Sequence, residues 1–162
     1  MLCPNCGAEI PDHSRYCDEC AYPVRKRKPL PSNRQEAGPI SGLRLGYVAM
    51  RMHFRFSLVE KNGVVLFSYD YLKAGTGYVR QTDTPVDFVF LHELQQFVHA
   101  NDYINLKGRD PFRRGLVVHD EPSCTLTLDW GDYLPLVIHS RSLPPNGAEL
   151  KQFFINIAES TQ

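Results

Sequence analysis

Two C-x-x-C pairs stand at the start of this chain, Cys3-Pro4-Asn5-Cys6 and Cys17-Asp18-Glu19-Cys20, and nothing else in it restricts folding as sharply. A C-x-x-C segment curls into a knuckle with both thiolates on one side, and two facing knuckles close an S₄ tetrahedron. That donor set suits Zn²⁺, at Zn–S distances of about 2.3 Å. Ten residues lie between Cys6 and Cys17, fewer than the roughly fifteen to twenty of the commonest double-pair spacing, so the unit must be short. A head this small cannot bury a core of its own. Its fold must come from the metal, whose binding contributes roughly 10–16 kcal/mol in comparable peptides.

Other cysteine chemistries fit less well. A redox C-x-x-C normally stands alone at a helix start, where its thiolate is stabilised; here there are two pairs, and no strand precedes them. A disulfide framework needs an oxidising compartment, and no apolar signal stretch precedes Cys3. Iron also accepts four thiolates, and only the knuckle spacing favours zinc over it. A catalytic zinc needs an open coordination position, which four thiolates leave no room for. His13 lies between the pairs as an alternative ligand and reads more simply as a surface side chain.

The segment CPNCGAEIPDHSRYCDEC resembles the zinc-ribbon heads that begin many prokaryotic proteins, over about residues 3 to 24. The resemblance implies a structural Zn²⁺ held by Cys3, Cys6, Cys17 and Cys20. Gly7 follows the first pair and suits the positive-φ end of a knuckle. Ala21 follows the second and tolerates that geometry less readily.

Charge divides the chain unevenly although its formal total is zero. Residues 1–20 carry Glu9, Asp12, Asp18 and Glu19 against Arg15, a net −3, to which a zinc tetrathiolate would add −2. Residues 21–36 carry Arg25, Lys26, Arg27, Lys28 and Arg34 against Glu36, a net +4, and the remainder is −1. Phosphate backbones are bound chiefly by clustered Lys and Arg, so only the Arg25–Lys28 run favours nucleic acid. Beside Pro29, Pro31, Ser32, Asn33 and Gly38, that run reads as a solvated linker. The expected organisation is a ribbon over 1–24, a basic Pro/Gly-rich linker over 25–42 and an α+β domain over 43–162. The 43% hydrophobic content supplies one core, and no apolar run is long enough to span a membrane. A cytoplasmic location is expected.

The body reads as strands, helix, strands, helix. Met50, Met52, Phe54, Phe56 and Leu58 alternate with polar residues, the period of a half-buried strand. Asn62-Gly63 signals a hairpin into a partner strand over Val64–Tyr71, with a third strand around Tyr78 to Thr82. Asp83 or Thr84 can cap a helix with Pro85 in its first turn, running to Ala100 and burying Val86, Phe90, Leu94, Phe97 and Val98. Further strands are expected over Leu116–His119 and Cys124–Trp130, joined by a turn at Asp120–Ser123. Another follows from Tyr133 to Ser140, which Pro135 confines to a sheet edge. Asn146 caps a last helix with an apolar stripe at Leu150, Phe153, Phe154, Ile157 and Ala158. Helices on one face of an antiparallel sheet make an α+β domain. Glu93-Leu94-Gln95-Gln96-Phe97 and Glu149-Leu150-Lys151-Gln152-Phe153 match in outline, as an internal duplication or chance would produce.

No catalytic constellation emerges. His92-Glu93 begins like H-E-x-x-H but meets Gln96 where the second histidine belongs; His99 lies about 10 Å further along the helix axis. Gly75 and Gly77 lack a third glycine. Cys124, with His119 and His139 nearby, reads as a buried strand thiol, and Asp129 and Asp132 as turn chemistry. The polar side of the first strand, Arg51, His53 and Arg55, offers contacts for an acidic partner or RNA, or a plain solvated face. The expected function is a non-enzymatic, zinc-binding adaptor with a protein partner. The alternative is a nucleic-acid-associated factor using Arg25, Lys26, Arg27, Lys28 and the Arg51/His53/Arg55 face.

Overall fold

In a computed structural model of the chain, residues 1–11, 14, 16–22, 27–107 and 121–162 are described. His13, Arg25, Lys26, the Leu116–His119 strand and Asp120 of the turn after it lie outside that set. The body is an antiparallel sheet of β1 (Gly42–Ala49), β2 (Met52–Lys61), β3 (Val64–Lys73), β4 (Gly77–Val86), β5 (Ser123–Asp129) and β6 (Leu136–Ser140). Its spatial order is β4-β3-β2-β1-β5-β6. The helices α1 (Phe88–Ala100) and α2 (Gly147–Ser160) cover one face. The domain is α+β, and no described helix is long and apolar enough to cross a membrane.

Alternation decides which face is covered. Leu43, Leu45, Phe54, Phe56, Leu58, Val65 and Phe67 are buried towards the helices, where they meet Leu91, Leu94 and Val98 of α1 and Leu150, Phe154 and Ile157 of α2. Phe154 stacks on Phe56 at 5.2 Å and on Phe67 at 6.1 Å between centroids, geometry that adds to plain area burial. The shared Glu-Leu-x-Gln-Phe fragment places Leu94 and Leu150 alike, both fully buried against the sheet.

Local signals set several boundaries. Asn62 and Gly63 both take positive φ, 53° and 78°, as a two-residue hairpin turn demands. Gly42 is needed for space: a Cβ there would lie 2.8 Å from the Leu58 carbonyl oxygen. The last helix starts after Asn146 as expected. The Asn146 side chain makes no cap bond and instead donates to Asn101 Oδ1 at 2.6 Å.

Three expectations are corrected. A central strand, β1, precedes the one first expected and pairs with both β2 and β5. The helix α1 begins at Phe88, not near Asp83: Pro85 and Val86 still pair with Leu66 and Val65 of β3, and Asp87 is the cap, accepting from Val89 N at 2.8 Å. A register shift at Phe67/Tyr69, with Asp83 at φ 50° donating its amide to Ser68 Oγ, lets β4 run past the point where Asp83 and Pro85 mimic a helix start. Residues 27–41, expected as a free tether, lie against the body. Ile40 is buried, Arg34 donates to the Ile104 and Leu106 carbonyls, Lys28 pairs by its backbone with Tyr133, and Trp130 Nε1 donates to the Gly38 carbonyl.

Candidate metal centre and open sheet face

The head is built from two knuckles of the same design. In the first, the Gly7 amide donates to the Cys3 carbonyl at 2.9 Å and the Cys3 amide to the Ala8 carbonyl at 2.8 Å. In the second, the Ala21 amide donates to the Cys17 carbonyl at 2.8 Å and the Cys17 amide to the Tyr22 carbonyl at 2.9 Å. Gly7 (φ 74°) and Ala21 (φ 56°) share the left-handed region, so the second knuckle forms despite its alanine, at a conformational cost of about 1–2 kcal/mol.

This matched backbone aims four sulfurs at one point. The Sγ atoms of Cys3, Cys6, Cys17 and Cys20 all lie within 4.8 Å of one another. Tetrahedral Zn–S bonds of about 2.3 Å set S···S edges of roughly 3.8 Å. Cys3 and Cys20 are 3.7 Å apart, and Cys6 and Cys17 3.6 Å. Cys3 and Cys17 are buried with Ile10 in a small cluster separate from the body core.

Residues 2–24 match the family model of the zinc-ribbon domain. The head is a zinc ribbon. No family model covers the body. No curated protein and no solved structure matches the chain.

Without metal, the ribbon's four thiols cannot ionise together, because like charges this close raise one another's pKa. The Asn5 side chain, donating towards Cys20 Sγ at 3.5 Å, and the Tyr22 amide bring Cys20 down to about 6. The Ala8 amide favours the Cys6 thiolate, but the neighbouring Cys20 and Cys17 sulfurs overcome it and push Cys6 up to about 12. Burial opposes ionisation of Cys3, and the Cys6 and Asn5 amides outweigh it, lowering its pKa. A dication removes this conflict, which is the chemistry the donor set fits.

Among the described residues, the basic side chains read from the sequence do not gather into one patch. Arg27 Nη1 sits 3.4 Å from Asp129 Oδ1, inside the body's only buried charged group among the described residues. Lys28 is exposed and engaged through its backbone. Arg51 occupies the β1–β2 turn rather than the strand. His53 stacks on Tyr78, 4.3 Å between centroids, with Nε2 3.5 Å from Asp70 Oδ1. Arg55 belongs to a different group.

Most of the sheet face opposite the helices lies open, with only its end at Val59 and Asp129 buried, where Arg27 lies on Asp129, and register arranges its side chains in rows across the strands. One row runs Arg80, Asp70, Arg55, Gly46, Thr125, His139 from one edge to the other. The next carries Ser68, Ser57, Arg44, Thr127 and Val137. On the other side lie Tyr78, Leu72, His53 and Val48. The middle of this face encloses a shallow cavity of about 440 Å³, with Gly46 as its bare centre. Arg44 and Arg80 were not singled out from the sequence. They come from β1 and β4, so only the fold brings them to Arg55.

Proposed function

We propose that this chain is a non-enzymatic adaptor: a structural Zn²⁺ holds the ribbon, and the body recognises another protein in the cytoplasm. The observation that carries this reading is the open sheet face. A face left bare beside a helix-covered one, with exposed Val48, Leu72 and Tyr78 bordering ionic residues, has the mixed character of a recognition surface. Four thiolates fill the zinc coordination shell and leave no position for a substrate, which fits a structural role for the metal.

The nucleic-acid alternative has fewer free cations to draw on. Arg27, Arg44 and Arg80 each face a carboxylate, on Asp129, Asp129 and Asp70, and a carboxylate partner weakens attraction to phosphate. Crosslinking of the intact zinc-loaded chain in its own cells, followed by reconstitution with the purified crosslinked protein, tests the adaptor reading. The expected result is a stoichiometric complex stable at about 150 mM salt. Sub-micromolar binding to mixed RNA or DNA at that salt, falling as log affinity against log salt with a slope near −3 to −4, would replace it with the nucleic-acid reading.

A further inference from the structure

We infer that the open sheet face binds an extended protein segment in which an acidic side chain stands two residues from an apolar one, the acid on Arg55 and the apolar group on Leu72 and Tyr78. This rests on the adaptor reading and gives its partner a chemistry. Charge carries the inference. Three guanidiniums, from Arg44, Arg55 and Arg80, converge on the cavity. Arg80 is held by Asp70 at 2.9 Å, and Arg44 lies 3.3 Å from Asp129. Asp70 faces Arg55 directly across β2 and β3, yet its Oδ2 is held by Arg80 at 2.9 Å and its Oδ1 lies 3.5 Å from His53 Nε2. Among the described residues Arg55 has no hydrogen-bond or ion-pair partner. Arg55 is therefore the guanidinium of this group with no carboxylate against it, flanked by Arg80, paired with Asp70, and Arg44, which shares Asp129 with Arg27. That matches a single carboxylate better than a run of phosphates, which requires several free cations.

Spacing supplies the rest. Alternate residues of an extended chain lie roughly 6.8 Å apart on one side, the same step that separates side-chain rows on a sheet. A segment lying along β2 and β3, beside the bare Gly46 of β1, meets the rows in turn. One inward side chain reaches the apolar row with Leu72 (49% exposed) and Tyr78 (48% exposed). The next reaches Arg55, and the third reaches the hydroxyls of Ser57 and Ser68. A carboxylate on a guanidinium forms charge-assisted hydrogen bonds, among the stronger polar contacts available.

The test uses the intact zinc-loaded chain. Random linear seven-residue peptides displayed on phage are selected against it. Recovered peptides are then measured by fluorescence anisotropy against the wild type, Arg55→Gln and Leu72→Ser. Both substitutions are at exposed positions, and unchanged circular dichroism and zinc content confirm the fold. The expected peptides share an acidic residue two positions from an aromatic or aliphatic one. Arg55→Gln weakens them about tenfold or more, as loss of a charge-assisted contact does, and Leu72→Ser weakens them severalfold. Failure to enrich any peptide, or peptides indifferent to Arg55→Gln, overturns the site. An eight-nucleotide oligouridine that displaces the peptides and is lost in Arg55→Gln also overturns it, in favour of nucleic acid. If a protein partner holds wild type and Arg55→Gln equally, the adaptor reading stands and this site falls. Peptides dependent on Arg55 with no protein partner would leave the site and sink the adaptor.

Discussion

In the ribbon, Ile10 is the one large aliphatic side chain buried among the described residues, and it packs against Cys3 and Cys17. In the body, Phe54, Phe56, Phe67, Phe154 and a dozen or so aliphatic groups close over a continuous core. The ribbon repeats a short backbone pattern twice and draws four sulfurs within 4.8 Å. The body instead joins strands far apart in sequence, β1 with β5 above all. One region is specified by local geometry and completed by an ion; the other is specified by alternation and completed by burial. Their clusters do not merge, so removing the basis of one should leave the other standing.

Metal removal gives the largest expected effect. Chelation, or Cys17→Ser with Cys20→Ser, forfeits most of the roughly 10–16 kcal/mol that zinc contributes to such units. The ribbon should unfold while the body's melting transition hardly moves; a collapse of both together would mean that they share one folding unit. Elemental analysis should find one zinc per chain, absent from the double variant. In the metal-free chain at pH 7, the thiols of the unfolded ribbon should alkylate ahead of Cys124, whose thiol burial in the body raises to about 11. Zinc should be released on acidification, since protons compete for the thiolates.

The converse substitution acts on the body alone. Phe154→Ala removes a fully buried ring stacked between Phe56 and Phe67. Large-to-small core changes of this kind cost about 3–5 kcal/mol, read as a lowered body transition with zinc content unchanged. Loss of zinc in this variant would break the comparison.

The seam between the regions should respond less. Asp129 is buried, with one oxygen near Arg27 and the other near Arg44. Asp129→Asn removes the charge both guanidiniums share and should cost about 1–3 kcal/mol. Limited proteolysis within residues 27–41 should quicken while the ribbon keeps its metal. Unchanged cleavage would mean that Ile40, Leu30 and the Arg34 bonds alone fasten this segment.

Both cysteine knuckles and the Asn62-Gly63 hairpin were legible in the sequence because their chemistry is confined to a few adjacent residues. Phe54, Phe56 and Leu58 were legible as a strand for the same reason. β1 was not: Leu43, Leu45 and Tyr47 alternate, but Gly42 and Gly46 weaken the strand signal, and its stability comes from β2 and β5 on either side. Asp83-Thr84-Pro85 carries a genuine helix-start signal that pairing with β3 overrides, leaving Asp87 as the cap. The Arg25–Lys28 run and its prolines read as solvated because composition cannot register Asp129 waiting a hundred residues away. Arg44 and Arg80 are ordinary polar strand positions until register sets them around Arg55.

Ala21 gives the smallest effect and the finest test of the ribbon's internal symmetry. Its φ of 56° places a Cβ in the left-handed region that Gly7 occupies freely at 74°. Ala21→Gly removes a strain of about 1–2 kcal/mol but adds chain entropy to the unfolded state, offsetting roughly 0.5–1 kcal/mol. The net gain is about 0.5–1 kcal/mol, and because the ribbon folds as it binds, it should appear as zinc affinity raised about two- to fivefold. Gly7→Ala reverses the chemistry in the other knuckle; nothing lies within 4 Å of a Cβ built there, so backbone strain alone should lower affinity by a similar factor. The double variant, which exchanges the two residues between knuckles, should return close to the starting affinity. Weakening by Gly7→Ala with no gain from Ala21→Gly would mean that the second knuckle does not hold the left-handed turn, and that the two halves of the site are not equivalent.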